Sequence, residues 1–561
     1  MSNTINARQG ISNLPEICFQ HGLKKAIICP GSRNAPLILS FTRHKSIDCL
    51  SITDERSAGY FALGISQFTG DPVAVICTSG TAVLNIAPSV AEAYYQNLPL
   101  IIITADRPKE WIDQADGQTI RQADIFRNYI KQSFELPLET PHADDLWYFN
   151  RTVSQAINTA LAFPAGPVHI NVPLREPLYT PLPDAQSPIG TITSPKLNQS
   201  VSEIEGFVNS WKSSKQKMII FGVNRKNPEL NELAQKLSKR SDTLVFAENI
   251  SNVSGNDIVY SPETFVAALN DDEKQNCKPD ILITIGEGVV SKRLKQYLRA
   301  FSPKEHWHIG SSSNYIDTFK SLSSILQVDP VIFFANLSEQ ADIQTAYSIL
   351  KNKIGSLSEK HNKFISIIAM NDLHAMHHIL NGIPGNSIVH LANSTPIRYS
   401  QLFPVISDIA YFCNRGTSGI DGCISTAAGS AFISGKTTFV ISGDLAFIYD
   451  SNALWNNYIN ANLKIIVINN NGGNIFSLIE SGDEMEKARP FFETPHRIKL
   501  KALAEAYNVS YLECNEISYL PKCMVALVES QSSCILEIKT DSKVNTRIFK
   551  EYYQYIKQSV I

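Results

Sequence analysis

The sequence predicts an α/β fold with three doubly wound, parallel-sheet domains. Short apolar runs rich in β-branched residues recur along the chain with helix-length segments between them, which is typical of parallel α/β proteins. The runs are apolar at every position rather than at alternate ones, as in strands that helices cover on both faces. The length of 561 residues exceeds what one hydrophobic core supports, and three domains are the expected number.

The strand candidates form three series separated by less apolar segments. In chain order they are 26–29, 73–76, 100–103 and 168–172, then 218–221, 244–246 and 281–285, then 388–391, 438–441, 464–468 and 534–538. Segment 181–200 is rich in Pro, Ser, Thr and Gln, a composition typical of a linker. We therefore expect domains at 1–180, 181–345 and 346–561.

The composition excludes several classes of protein. The 50 Lys and Arg residues nearly balance the 53 Asp and Glu residues, which gives no sign of a nucleic-acid or membrane-surface partner. Residues 1–10 lack the pattern of a signal peptide, and no apolar run approaches the roughly 18 residues of a membrane span. The 10 cysteines contain no C-x-x-C pair and are expected to be reduced. We expect a cytoplasmic protein.

Two polar turns follow neighbouring strand candidates of the third series. Gly443-Asp444 comes after 438–441, and 469–473 comes after 464–468. The carboxyl ends of such strands are where open α/β sheets bind ligands. Because Mg²⁺ prefers oxygen ligands, we predict that Asp444, the amide of Asn470 and the carbonyl of Gly472 bind a cation. The alternative is a pair of ordinary polar turns.

The spacing of these turns resembles the signature of thiamine-diphosphate enzymes, in which Gly-Asp-Gly precedes Asn-Asn. The third position of the first motif is Leu445 here, not glycine. The resemblance implies the architecture of that enzyme class, with thiamine diphosphate and Mg²⁺ as cofactors and Mn²⁺ as an alternative ion.

Glu55 ends a short strand in the first series and precedes a helix of small residues at 57–64. Thiamine chemistry needs a carboxyl group on the pyrimidine nitrogen, which a buried glutamate with a raised pKa provides. The alternative is a solvated or salt-bridged glutamate. Because Glu55 and the cation site lie in different predicted domains, one cofactor must bridge them. In this architecture the bridge usually crosses between subunits, so we expect a homodimer or a dimer of dimers.

Motifs along nearly the whole chain then narrow the resemblance to one family. They occupy 30–33, 54–56, 78–82, 104–108, 291–294, 414–416, 418–422, 443–445 and 469–478. In this order they resemble 2-succinyl-5-enolpyruvyl-6-hydroxy-3-cyclohexene-1-carboxylate synthase of menaquinone biosynthesis, and Leu445 agrees with that family. The resemblance implies a transferase that decarboxylates 2-oxoglutarate and adds the remainder to isochorismate.

The resemblance also implies roles for individual residues. Its substrates carry several carboxylates, which arginine forks bind well. The cationic candidates are Arg33, Arg107, Lys292, Arg293, Arg398 and Arg415, with Ser32, Gln118 and Ser394 as neutral partners. Arg398 and Arg415 are expected near the succinyl carboxylate, and Arg33, Arg107, Gln118 and Arg293 near isochorismate. For each charged residue taken singly, the alternative is an ordinary charge on the protein surface.

The cofactor pocket is implied in the same way. Glu55 is the catalytic carboxyl group, Gly443, Asp444, Leu445 and Asn470 bind the diphosphate end, and Ile420 props the cofactor into its bent shape. Ile475, Phe476 and Leu478 are expected to line the thiazolium pocket. Core packing is the alternative for each of these apolar side chains.

Two other functions remain open at this point. One is a different thiamine carboligase or decarboxylase, such as an acetolactate synthase, and the other is a binding protein that kept the fold without the chemistry. Segment 429–437 fails as a phosphate loop because its glycine spacing is wrong, and 286–288 lacks the third glycine of a dinucleotide site. His377 and His378 are expected on a helix surface rather than in catalysis.

Overall fold

The computed structural model describes residues 6–186, 189–192, 204–310, 315–339, 341–478 and 483–558. The chain divides into two compact units. The first comprises Met1–Leu197, Asn414–Thr438 and Ile448–Leu463, and the second comprises Asn198–Cys413, Phe439–Phe447 and Lys464–Ile561. We refer to them as unit 1 and unit 2.

Unit 1 contains the first six-stranded sheet. Its elements are α1 (Gln9–Gln20), β1 (Lys25–Ile28), α2 (Ala35–Arg43), β2 (Asp48–Ser51), α3 (Glu55–Thr69), β3 (Val73–Cys77), α4 (Thr81–Tyr95), β4 (Leu100–Asp106), β5 (Ser133–Glu135), α5 (Ala143–Leu161) and β6 (Val168–Pro173). The strand order is β2-β1-β3-β4-β6-β5, and neighbouring strands run parallel. The core of this sheet includes Ile103, Phe149 and Ile170.

The second sheet lies in unit 2. Its elements are α6 (Glu205–Ser213), β7 (Lys217–Phe221), α7 (Pro228–Ser238), β8 (Thr243–Ala247), β9 (Ile258–Val259), α8 (Pro262–Ala267), α9 (Asp271–Asn276), β10 (Ile281–Ile285), α10 (Lys292–Ala300), β11 (Glu305–Ile309), β12 (Ser324–Leu326) and α11 (Pro330–Ser338). The strand order is β12-β11-β10-β7-β8-β9, again parallel.

The third sheet follows in the C-terminal part of the chain. Its elements are α12 (Ala346–Ile367), α13 (Asp372–Gly382), β13 (Ile388–Leu391), α14 (Thr395–Ser400), β14 (Ala410–Phe412), α15 (Cys423–Ser434), β15 (Thr438–Gly443), α16 (Asp444–Tyr449), β16 (Leu463–Asn469), α17 (Asp483–Glu493), α18 (Leu500–Ala506), β17 (Ser510–Cys514), α19 (Leu520–Glu529), β18 (Cys534–Lys539) and α20 (Ser542–Gln558). The strand order is β14-β13-β15-β16-β18-β17.

The predicted fold class, three doubly wound parallel sheets, is confirmed. Each predicted strand corresponds to one of these strands, because an uninterrupted apolar run is buried along its length, as β3 and β4 are. The prediction missed short or less apolar strands, among them β5, β11 and β17. The domain boundaries at 1–180, 181–345 and 346–561 remain a prediction.

Ligand positions follow from the strand order. The first and third sheets have the same strand order. In each, successive strands are added first on one side and then on the other side of the starting strand. This reversal lies between β1 and β3 in the first sheet and between β13 and β15 in the third. Crevices at such reversals, outside the carboxyl ends of the strands, are where doubly wound sheets bind ligands. Gly443-Asp444 lies at the end of β15, at the reversal of the third sheet.

Helices α3 and α15 pack closely in unit 1. A Cβ atom added to Gly64 would overlap the carbonyl oxygen of Thr426, and one added to Gly429 would overlap the carbonyl oxygen of Phe61. Glycine is therefore required at both positions. This packing also explains Gly429, which lies inside a helix rather than in a phosphate loop.

None of the helices in the described part of the chain combines the length and apolar composition needed to cross a membrane. None of the ten cysteines, all of which belong to the described residues, forms a disulfide, and eight of them are buried.

Candidate active site

Asp444 lies where β15 ends and α16 begins, and its side chain is only 3% exposed. Its Oδ1 accepts a hydrogen bond from the Leu445 backbone N–H (2.8 Å). Its Oδ2 accepts from the Gly472 backbone N–H (2.8 Å) and from Nε2 of His496 (3.1 Å). Burial raises the pKa of Asp444, and these donors oppose the rise. The carboxylate is thus held against the loop that follows β16.

Asn470 directly follows β16 and is also buried. Its Nδ2 donates a hydrogen bond to Oδ2 of Asp372 (2.9 Å). Its Oδ1 is buried and has no hydrogen-bond partner among the described residues. A buried amide oxygen without a donor is an incomplete arrangement, which a hard cation would complete.

Gly472 has φ +141, a backbone conformation that side chains disfavour. A Cβ atom at this position would also lie 2.5 Å from the carbonyl oxygen of Glu493. The neighbouring Gly473 N–H donates to the same carbonyl (2.6 Å), so the turn is held tightly against 493–495. The described residues include no cluster of three or more His, Cys, Asp and Glu side chains suited to a metal. The Asp444–Asn470 site instead offers one carboxylate, one amide oxygen and backbone carbonyls, a set that suits Mg²⁺ bound together with phosphate oxygens.

Glu55 is the first residue of α3 and is half-buried. The preceding residue, Asp54, caps the helix by accepting from the Arg56 and Ser57 N–H groups (2.9 and 3.2 Å). Nδ2 of Asn85, on α4, donates to Oε2 of Glu55 (3.2 Å). No local pattern in the sequence marks Asn85, because its contact with Glu55 depends on how α3 packs against α4.

Arg33 and Arg107 follow β1 and β4 in unit 1 and lie near each other. Arg33 is 7% exposed, and burial together with the charge of Arg107 lowers its pKa. Its guanidinium donates to the Leu174 carbonyl (3.0 Å) and pairs with Glu176 (3.0 Å). Arg107 pairs with Asp116 (2.5 Å) and donates to the Gly117 carbonyl (2.6 Å). Two cations therefore converge at this edge of the first sheet.

Gln118 and Ser32 belong to the same edge. Gln118 has φ +53, and its backbone packs against Gly80 at the start of α4. Gln122, which is fully buried, holds this region: its Oε1 accepts from the Gly80 N–H (2.9 Å), and its Nε2 donates to the Ala105 carbonyl (3.0 Å). Ser32 is exposed in the turn after β1. Sequence reasoning missed Gln122, since nothing near it in the chain marks its partners.

Arg415 and Ile420 lie in the loop before α15, and both are half-buried. The loop is fixed by Glu92 of α4, which is fully buried. Oε1 and Oε2 of Glu92 accept from the Gly416 and Thr417 N–H groups (both 2.7 Å). These two residues directly follow Arg415 in the chain, so Glu92 determines how the backbone presents the arginine.

Four further candidates lie in unit 2. Arg293 pairs with Glu263 (3.1 Å), and its guanidinium stacks on the ring of Tyr553 (4.7 Å). Burial raises the pKa of Tyr553, and the charges of Arg293 and Arg398 oppose this rise, so both arginines lie near that ring. Lys292 is exposed at the start of α10. Ser394 precedes α14 with φ +77, a strained conformation that recurs at functional sites.

A cavity of about 570 Å³ opens beside Arg293. Its lining includes Lys274, Tyr297 and Lys557 but no residue of the Asp444–Asn470 site. It is therefore a feature of unit 2 separate from the candidate cation site.

The remaining apolar candidates lie close to the cation site in the chain. Leu445 and Ile475 are half-buried. Phe476 is 39% exposed, and its ring contacts that of Phe492 (centroids 5.5 Å apart). The side chain of Leu478 lies outside the described part of the structure. His377 and His378 lie in α13 as expected, where their rings contact each other.

Comparison with known proteins identifies the fold and the family of the chain. Residues 10–126 match the family described as thiamine pyrophosphate enzyme, N-terminal TPP binding domain. The solved structure of benzoylformate decarboxylase from Polynucleobacter necessarius superposes with a TM-score of 0.70 at 15% identity, over 96% of this chain and 99% of that one. At that identity the likeness shows the fold alone.

Two relatives carry the more specific information. A 2-succinyl-5-enolpyruvyl-6-hydroxy-3-cyclohexene-1-carboxylate synthase of Flavobacterium psychrophilum is 40% identical over 543 residues, which is 96% of this chain and 97% of that protein. The synthase of the same name from Bacteroides thetaiotaomicron is 35% identical over 98% of this chain and 99% of its own length. Since the likeness extends over nearly the full length of each protein, the chain belongs to the 2-succinyl-5-enolpyruvyl-6-hydroxy-3-cyclohexene-1-carboxylate synthase family.

Proposed function

We propose that the protein decarboxylates 2-oxoglutarate and adds the remaining succinyl unit, in a 1,4 sense, to isochorismate. The products are 2-succinyl-5-enolpyruvyl-6-hydroxy-3-cyclohexene-1-carboxylate and CO₂, and the reaction belongs to menaquinone biosynthesis. The observation that carries the proposal is the 40% identity with a synthase of this name over 96% of the chain. The buried, incompletely partnered Asn470 beside Asp444 supports it independently.

The cofactor is thiamine diphosphate, with Mg²⁺ or alternatively Mn²⁺ at the diphosphate end. When bound, it supplies the carbon nucleophile and electron sink that decarboxylation of a 2-oxo acid requires. Asp444 contributes a carboxylate oxygen, Asn470 its free Oδ1 and Gly472 its carbonyl oxygen to the cation. Gly443 gives the diphosphate room to approach.

Glu55 would exchange a proton with the pyrimidine nitrogen. The hydrogen bond that Nδ2 of Asn85 donates to its carboxyl group (3.2 Å) supports this role, because it fixes the position of the carboxyl group. Ile420 would contact the cofactor and support its conformation. Ile475, Phe476 and Leu478 would line the thiazolium pocket, and Leu445 would lie at the diphosphate end.

The basic residues bind the substrate carboxylates. Arg398 and Arg415 hold the succinyl carboxylate, whereas Arg33, Arg107, Gln118 and Arg293 hold isochorismate. Lys292, Ser32 and Ser394 complete the two substrate sites. The convergence of Arg33 and Arg107 supports this assignment, since each guanidinium lowers the cost of bringing an anion to the other.

The domains, the assembly and the location are part of the same proposal. Residues 1–180 bind the pyrimidine, 346–561 bind the diphosphate and cation, and 181–345 form the central domain. The enzyme is a homodimer or a dimer of dimers, which the exposed Leu84, Tyr94 and Tyr95 of α4 support. It works in the cytoplasm, where its ten free cysteines stay reduced.

The test is to supply 2-oxoglutarate with and without isochorismate and to identify the product by mass. We expect the adduct and CO₂ only when both substrates, thiamine diphosphate and Mg²⁺ are present. Turnover of pyruvate without isochorismate, or FAD bound to the purified protein, would point instead to an acetolactate synthase-like enzyme.

A further inference from the structure

Asp372 is a buried carboxylate that contacts the candidate cation ligand Asn470. It is the first residue of α13 and is 1% exposed. Its Oδ2 accepts the hydrogen bond from Nδ2 of Asn470 (2.9 Å). Nothing nearby in the chain connects these two residues, which come together only through the fold.

The carboxylate of Asp372 is itself fixed from the other side. Its Oδ1 accepts from Oγ1 of Thr540 (2.6 Å) and from Nδ2 of Asn545 (2.8 Å). Oδ1 of Asn545 in turn accepts from the Asp372 backbone N–H (2.9 Å). The amide nitrogen and the amide oxygen of Asn545 therefore both form hydrogen bonds with Asp372, which leaves the carboxylate little freedom to rotate.

This arrangement determines which end of the Asn470 amide faces outward. The oxygen and nitrogen of an amide occupy nearly the same space, so packing alone does not distinguish them. Both oxygens of Asp372 accept hydrogen bonds, from Asn470, Thr540 and Asn545, and an accepting oxygen selects the orientation in which the NH₂ of Asn470 faces it. The amide oxygen then points away, where it has no partner among the described side chains and backbone groups.

We propose that Asp372 is a positioning residue that orients the amide oxygen of Asn470 toward the divalent cation. The proposal rests on the proposed function, which places a cation at Asp444 and Asn470. Asp372 does not touch the cation itself. It acts through Asn470, as residues that orient a metal ligand from behind do in other sites, where their loss costs about 10- to 100-fold in metal affinity.

The first test is Asp372→Asn, which keeps the size of the side chain. An amide at this position can face Asn470 with either end, so the orientation of Asn470 is no longer fixed. We expect Mn²⁺ to bind about 10- to 100-fold more weakly in the presence of saturating thiamine diphosphate, measured as free Mn²⁺ by EPR. The matched control is Thr540→Val, which removes a hydrogen bond from the same carboxylate without touching Asn470. It should lower thermal stability with a much smaller loss of Mn²⁺ affinity.

A second pair of variants keeps the proposal testable if Asp372→Asn does not fold. Asn470→Asp sets two carboxylates against each other and should bind Mn²⁺ poorly. Adding Asp372→Asn to this variant exchanges the amide and the carboxylate between the two positions. The amide at position 372 would then donate to the carboxylate at position 470. The other oxygen of that carboxylate would remain available to the cation. We expect the double variant to regain affinity. Wild-type affinity in Asp372→Asn, or no gain in the double variant over Asn470→Asp, would overturn the proposal.

The wild-type protein and Asp444→Ala separate this proposal from the function itself. If both bind Mn²⁺ equally in the presence of thiamine diphosphate, the proposed cation site is wrong. If only Asp444→Ala loses binding while Asp372→Asn keeps it, the cation site stands and the role of Asp372 fails.

Discussion

At the scale of single residues, Glu55 depends on its neighbours for its position. Asp54 caps α3 and accepts from Nδ2 of Asn452 (2.7 Å), so the first turn of the helix is fixed on two sides. Asn85 contributes a donor to the Glu55 carboxyl group itself. A carboxyl group that must exchange a proton with a fixed ring nitrogen benefits from such preorganisation.

Glu55→Gln should lower kcat by about 100- to 10,000-fold, because glutamine keeps the size of glutamate but does not exchange the proton. The measurement is turnover of 2-oxoglutarate and isochorismate at saturating thiamine diphosphate. Thermal stability should change little, since Asp54 still caps the helix. A variant with near-wild-type kcat would exclude Glu55 as the catalytic carboxyl group.

At the scale of elements, α4 connects two parts of unit 1. Its buried Glu92 accepts from the backbone of 416–417, and its exposed Asn85 reaches Glu55. One helix therefore positions both the proposed catalytic carboxyl group and the loop that carries Arg415. Buried acceptors with several backbone donors are costly to remove, since the donors are left without partners.

Glu92→Gln should raise KM for 2-oxoglutarate more than it lowers kcat. The NH₂ group of glutamine would face one of the two loop N–H groups, and this contact between donors would displace the loop that carries Arg415. The free energy of unfolding should fall by about 1–3 kcal/mol. Gln96→Ala is the control: the side chain of Gln96 also donates to Glu92, but it accepts its other hydrogen bond from Gln67 of α3. An unchanged KM in a folded Glu92→Gln variant would contradict the role of Glu92.

Asp450 gives a pH-dependent contribution to stability. It is fully buried at the N-terminus of α15, where it accepts from the backbone N–H and Oγ of Ser425 (2.7 and 2.8 Å). Burial raises its pKa to about 7, whereas an unfolded aspartate has a pKa of about 3.9. The folded state thus binds the proton more tightly, and the stability from this group is present at low pH and is lost as pH rises through about 7.

Wild type should therefore lose this contribution between about pH 5 and about pH 7.5, whereas Asp450→Asn should not. The free energy of unfolding of the variant minus that of wild type should rise over this range. Denaturant unfolding at several pH values measures it. Asp71→Asn, at an exposed position, serves as control and should show no such trend. Parallel curves for wild type and Asp450→Asn would contradict the raised pKa.

At the scale of the whole molecule, α4 exposes an apolar face that the chain alone does not cover. Leu84 and Tyr95 are 48% and 49% exposed, and Asn85, the partner of Glu55, lies beside Leu84. Exposed apolar groups of this size are typical of an interface with another subunit. The proposed homodimer would bury them.

Leu84→Glu should shift the protein toward monomer and weaken thiamine-diphosphate binding, because a charge in an apolar interface is costly to bury. Light scattering after size exclusion measures the mass, and calorimetry measures the cofactor affinity. Tyr179→Glu, at a 71% exposed site elsewhere in unit 1, should leave the mass unchanged. A monomeric wild type, or an unchanged mass in Leu84→Glu, would exclude this face as the interface.

By itself the sequence determined the fold class, and it identified Asp444, Asn470 and Glu55 as candidate site residues. These features are local: an apolar run forms a buried strand, and a polar turn after it lies at the carboxyl edge of the sheet. The tertiary structure alone decided the partners of these groups, namely Asp372 for Asn470, Asn85 for Glu55 and Glu92 for the loop after Arg415. Such hydrogen bonds join residues far apart in the chain, so they depend on strand order and helix packing, which no local pattern records.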